Sequence, residues 1–178
     1  MKHFLKIALL LTVVFAAPCA QAEGLKVGHV NMQRIMAESN AGKEARQQYD
    51  AKAKGYQDQL DVKIAANKKL KAEIDAGLKQ LKPGQKPSQP LLDKQKLLAT
   101  RDKELQNTLA VYQKELREFD ATLTRGIVAD FSVVAERYGE ANGYDYLIRG
   151  LDALIYANKK QEVTDALLGE FNNQKNNK

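Results

Sequence analysis

Apolar positions between residues 91 and 123 repeat in seven-residue steps. Leu91, Leu98, Leu105, Tyr112 and Phe119 form one column, and Gln95, Asp102, Leu109, Leu116 and Leu123 the interleaved one. Alternating steps of four and three define a coiled-coil seam, in which each knob sits in a hole on a neighbouring helix. The partner lies just upstream, where Tyr49, Ala53, Tyr56, Leu60, Ile64, Asn67, Leu70, Ile74, Leu78 and Leu81 recur at steps of three and four. Between them stands Lys82-Pro83-Gly84-Gln85-Lys86-Pro87-Ser88-Gln89-Pro90. Prolines lack an amide donor and clash with the preceding turn, so this stretch breaks the helix. Helix, break and helix with matching stripes predict an antiparallel hairpin. The returning arm keeps its period to about Ala141; roughly 50 residues at 1.5 Å each make it ~75 Å long, too long for a small domain, so it protrudes.

The flanking segments are shorter. Leu25-Lys26-Val27-Gly28-His29-Val30 alternates as a strand, and Asn31 can cap a helix that buries Met32, Ile35 and Met36. Ser39 and Asn40 offer a second cap, with Gly42 a weak point just inside. Near its base the descending arm gains Ile127, Val128, Phe131, Val133, Val134 and Tyr138, a broader face that implies more neighbours. Asn142-Gly143 ends it. Residues 144–148 and 153–156 read as strands joined by a turn at 149–152, and a last helix runs from about Gln161 through Val163, Ala166, Leu167 and Phe171. Three short strands expose two edges, which further copies of the chain would close. The expected fold class is α+β, mostly helical: a small body completed by oligomerisation, bearing a long coiled-coil hairpin. The interface strands would be carried by Leu25, Val27, His29, Val30, Tyr146, Ile148, Leu154 and Tyr156.

The first 22 residues stand apart. Lys2 and Lys6, an apolar run over 7–17 and Ala20-Gln21-Ala22 form the three parts of a cleavable secretory signal. The one cysteine, Cys19, would leave with it, removing disulfide and thiolate chemistry from the mature chain. The expected division is 1–22 signal, 23–40 and 142–171 body, 41–141 arm with its tip at 82–90, and 172–178 a disordered tail. Charge sharpens the picture of the arm. Residues 63–103 hold eleven Lys/Arg against four Asp/Glu, and ten of those cations are lysine. Flexible point charges suit diffuse attraction more than a shaped phosphate site. Lys79, Lys82, Lys86, Lys94 and Lys96, around the tip, are the candidates for contact with an acidic partner or an anionic surface.

Catalytic chemistry is missing. His29 has neither a cysteine nor a second histidine with which to build a metal site once His3 is removed. Asp58/Asp61 and Glu115/Glu118 lie on exposed helix faces with nothing to desolvate them. Ala37-Glu38-Ser39-Asn40-Ala41-Gly42-Lys43-Glu44 lacks the first glycine and the hydroxyl of a phosphate loop. No aromatic lies between Tyr56 and Tyr112 to stack bases on the basic segment. A non-enzyme with no cofactor, no metal and no nucleic-acid partner is expected.

The ends of the mature chain carry a resemblance. Leu25-Lys26-Val27-Gly28-His29-Val30-Asn31-Met32 with Arg34-Ile35 resembles the opening strand of the Skp/OmpH family of periplasmic chaperones. Tyr144-Asp145-Tyr146-Leu147-Ile148, Ala153-Leu154-Ile155-Tyr156-Ala157 and Glu162-Val163-Thr164-Asp165-Ala166-Leu167 look like its closing strands and final helix, with Glu162 where the family usually has aspartate. The resemblance implies a homotrimer whose strands share a small β-barrel body, with three arms around a cavity. It implies ATP-independent holding of unfolded outer-membrane β-barrel proteins in the periplasm for membrane assembly. The family also has a basic lipopolysaccharide-binding cluster on the descending arm; here residues 108–119 offer only Lys114 and Arg117. The competing reading is a coiled-coil spacer or scaffold of the cell envelope.

Overall fold

The computed structural model describes residues 24–150 and 156–175. The expected signal segment 1–22, and residues 153–155 of the expected last strand with Leu154 among them, lie outside the described residues. The elements run β1 (Val27–Val30), α1 (Met32–Glu38), α2 (Asn40–Lys79), α3 (Gln89–Ala141), β2 (Tyr146–Arg149), a 3-10 turn (Lys159–Gln161) and α4 (Thr164–Lys175). Described Tyr156 stands outside any strand.

Local chemistry sets most of these boundaries. The Asn31 side chain accepts from the Arg34 amide at 3.1 Å and opens α1. Ser39 ends α1 and caps α2, accepting from the Gly42 amide at 3.0 Å. Gly42 is required by contact: a Cβ there would lie 1.8 Å from the Met36 carbonyl oxygen. The expected weak point is thus where two helices meet closely. At the far end the break spans 80–88, two residues earlier than the prolines suggest. Pro90 sits in the first turn of α3, where its missing amide costs nothing. α3 closes on Asn142 and Gly143, the latter at φ 65°. The Tyr144 amide donates back to Gly139 O (2.9 Å) and that of Gly143 to Glu140 O (3.2 Å), while the Tyr144 ring stacks on Tyr138 at 6.0 Å.

α2 and α3 pack antiparallel along their length and form the arm; 40 and 53 residues correspond to ~60 and ~80 Å. The seam departs from the heptad columns. Gln95, Leu98, Leu105, Tyr112, Leu116, Phe119 and Leu123 are half-buried as expected, but Arg101 and Thr108 take the places of Asp102 and Leu109. Leu109 is 44% exposed, and so largely are Ile64 and Leu78 of the ascending stripe. One step of three at 98–101 moves the seam to a neighbouring row, and paired steps of four at 108–116 move it back. A straight helix drifts against a 3.5-residue repeat. With a carboxylate at 102 no apolar knob holds the register there, and Asp102 reaches the seam only through a 2.8 Å bond from Asn67 Nδ2.

The core lies at the arm's root. Val30, Ile35, Ile127, Phe131, Val134, Val163, Leu167 and Phe171 are buried together, with Phe131 and Phe171 edge to face at 5.6 Å. Val133 and Ala166, expected on buried faces, are exposed. β1 pairs parallel with β2, Val27 opposite Tyr146 and Val30 opposite Arg149, and bridges Glu162 from His29. Parallel strands need a long crossover; here the whole arm is that crossover. α4 begins at Thr164 and continues through the first four residues of the expected frayed tail. Asn172 explains part of this, since its side chain accepts from the Asn40 amide at 2.8 Å.

Candidate functional site

The outer arm is joined by polar side chains as well as by its thin apolar seam. Lys94 Nζ meets Glu73 Oε2 at 2.8 Å across the two helices, and that contact holds the Glu73 carboxyl below its ordinary range. Midway, Tyr56 and Tyr112 stack at 4.0 Å and 6°. Tyr56 donates to Glu115 and Tyr112 to Gln59, each across the hairpin. The bond to Glu115 raises the Tyr56 phenol above its usual value. Lys52 lies over the Phe119 ring at 4.7 Å.

All five tip lysines, Lys79, Lys82, Lys86, Lys94 and Lys96, are exposed, but they are not equivalent. Lys94 is engaged by Glu73, whereas Lys79, Lys82, Lys86 and Lys96 make no ion pair among the described residues. Lys82 sits in the tip turn, its amide bonded to the Gln85 side chain and its carbonyl to the Gln85 amide. Lys114 and Arg117 lie exposed on α3, with Lys114 turned toward Glu118 at 3.7 Å. They form no cluster with the tip.

The residues expected to meet other copies divide into two sets. Val30 belongs to the core of its own chain, and His29 is only 6% exposed, so neither is free for a partner surface. His29 gives both its backbone to the ladder and its ring to the interior, where Nδ1 and Nε2 have no hydrogen-bond partner among the described residues. Leu25, Tyr146 and Tyr156 are 65%, 61% and 81% exposed, a large apolar area beside a small sheet. Val27 and Ile148 are half-buried.

Arg34 ties the base together. It is bidentate to Glu38 (2.8 and 2.9 Å) and reaches Asp165 on α4 at 2.7 Å, which raises its own pKa and lowers that of Glu38. Thr164, fully buried, accepts from the Asn31 amide at 2.9 Å and donates to Glu162 at 3.0 Å. The glutamate in place of aspartate therefore still serves this junction.

A feature that periodicity did not reveal lies where α1, α2, α3 and the end of β2 meet. An open cleft of about 950 Å³ is floored by Met32, Met36 and Val128 and edged by Lys43, Arg46 and Arg149. Met32 and Met36 at i, i+4 were its one trace in the sequence; the cations come from segments more than 100 residues apart. Among the described residues no helix is long and apolar enough to cross a membrane, and no group of three His, Cys, Asp or Glu could hold a metal ion.

Comparison with known proteins bears on the whole arrangement. A family model described as outer membrane protein (OmpH-like) matches residues 26–171. A crystal structure from Caulobacter crescentus CB15, described as a candidate OmpH-like outer membrane chaperone, aligns with a TM-score of 0.73. It is 15% identical, covering 84% of this chain and 85% of that one, so the likeness is one of fold. No curated protein matches the chain.

Proposed function

This chain belongs to the OmpH-like family of outer membrane proteins, and on that premise we propose that it is a periplasmic holdase chaperone. It binds unfolded outer-membrane β-barrel proteins between helical arms, without ATP, and keeps them soluble for membrane assembly. The observation that carries this reading is the arm: two long helices on a thin, partly polar seam, with Ile64, Leu78, Leu92, Leu97, Leu109 and Val111 left exposed along them. Such a wall offers weak, distributed apolar contacts to a chain of any sequence and can bend around it. Removal of an exported signal over residues 1–22 completes the periplasmic reading. Residues 23–40 and 142–171 are the body and 41–141 the arm.

The working unit is a homotrimer in which the exposed Leu25, Tyr146 and Tyr156 are covered and the strands are completed as a shared barrel. The tip lysines attract acidic clients or anionic surfaces, an effect screened by salt. Aggregation of several unrelated unfolded β-barrel proteins should be suppressed at near one assembly per client, and the mature protein should weigh three chains in solution. A protein that ignores every such client while docking to one envelope partner would instead be a spacer, and a monomer would leave the exposed base residues unexplained. Neutralising Lys79, Lys82, Lys86, Lys94 and Lys96 should leave assembly intact and weaken capture at low salt; unchanged capture would reduce them to solubilising groups.

A further inference from the structure

The cleft at the arm root has the chemistry of a binding site: Met32 and Met36 pack against the core, yet both are only half-buried and line the open cleft. Its large apolar lining residues are two methionines and a valine, Met32, Met36 and Val128. Flexible thioethers adapt to side chains of different shape, which suits a site that must accept more than one sequence. None of its lining residues is acidic, while three are cationic. Arg46 gives its Nε to Asp50 at 3.0 Å, and Lys43 lies close enough to Glu38 to lower that carboxyl. Arg149 has no acidic partner within salt-bridge distance among the described residues, and it lines the same cleft as Lys43 and Arg46 although it comes from β2 and they come from α2. The complementary ligand is therefore an apolar segment that ends in a negative charge.

We propose that this cleft captures the carboxyl-terminal end of an unfolded polypeptide, its apolar side chains on the methionine floor and its terminal carboxylate between Lys43 and Arg149. The inference rests on the holdase reading and deepens it. A terminus is the one place where any polypeptide carries a carboxylate directly beside its last side chain, whatever the rest of its sequence. The volume, about 950 Å³, suits a few residues and not a folded domain. A chain end held at the root leaves the remainder free to lie along the arm, where contacts are weaker and more mobile.

The test uses the full chain and two fluorescein-labelled octapeptides of alternating serine and leucine ending in leucine, one with a free carboxylate and one amidated. The free acid should bind on the order of tenfold more tightly, as loss of a charge-assisted hydrogen bond would predict. Lys43→Gln with Arg149→Gln should erase that difference; both side chains are exposed, so the fold should tolerate the change. Ala37→Trp, at an exposed lining position, should weaken both peptides. Equal binding of the two peptides, or a preference that survives the double variant, would overturn the proposal. So would a change in oligomeric mass on either substitution, which would make the cleft a contact between copies. Myristate binding there with neither peptide bound would assign it to lipid and overturn it too. Suppression of client aggregation by the parent protein is measured alongside. If suppression holds while the peptides ignore the cleft, this inference alone fails; if suppression is absent, the holdase reading fails, and the peptide comparison still decides the cleft.

Discussion

The root of the arm and its outer half are continuous helix, yet they are held by different forces. At the root, Ile127, Phe131 and Val134 of α3 are buried against β1, α1 and α4. From residue 91 to 123 no residue of α3 is buried, and beyond Gly42 at its base α2 buries only Leu60, Asn67, Leu70 and Ile74. One of those four is an asparagine bonded to Asp102. Apolar burial scales with area and is insensitive to direction, so the root is a rigid block. The outer arm adds to its thin apolar seam directional clasps that water can replace, such as Lys94 with Glu73 and Tyr56 with Glu115. On the proposed holdase reading this division serves a shape that admits different cargoes, since the arm can yield without loosening its base.

The contrast can be broken most severely at the root. Phe131→Ala should cost about 3–5 kcal/mol and lower the melting temperature of the whole chain by roughly ten degrees, read by circular dichroism. Leu70→Ala, in the thinner seam, should cost about 2 kcal/mol. Its effect should appear as faster amide exchange confined to residues around 60–110, with the base still melting as before; a shift of the base as well would show that arm and root fold as one unit. Asn67→Leu should sharpen the arm toward the root's character, adding up to about 1 kcal/mol, because Asp102 is exposed and can return to water. Slower exchange around residue 102 with reduced client capture is the expected pair of readouts.

The smallest effect is electrostatic. Lys94 depresses the Glu73 carboxyl in the folded arm, so this clasp contributes above the ordinary glutamate range and is lost as pH falls through the lowered value. The difference in arm melting between the parent and Glu73→Gln should be constant well above the ordinary glutamate range and vanish once pH falls below the lowered value. A difference that persists in acid would mean that the contact acts by packing. Tyr56 carries the opposite sign: its raised phenol contributes below the ordinary tyrosine value and is lost in stronger alkali.

What could be read from the chain alone is what short-range chemistry decides. Asn31 and Ser39 start helices because their side chains bond amides three residues on. Pro83 and Pro87 break the hairpin, and Gly143 ends α3 with a left-handed turn. The family was legible in the same way, through motifs at the two ends of the chain and their order around the arm. Where Asp102 and Leu109 point was not legible, because the heptad count assumes a partner that holds register at every step, and this one does not. Nor did the sequence decide whether His29 packs in its own chain or at an interface, or show that β1 would pair parallel with β2 across the entire arm; the ring is buried in its own chain. The root cleft belongs to the same class. Its floor and its cations come from four elements, and only packing of α1, α2, α3 and β2 brings Met36, Lys43, Val128 and Arg149 to one place. Local bonds are encoded within a few residues of each other; a surface made of distant segments exists only after burial of the core has chosen how they meet.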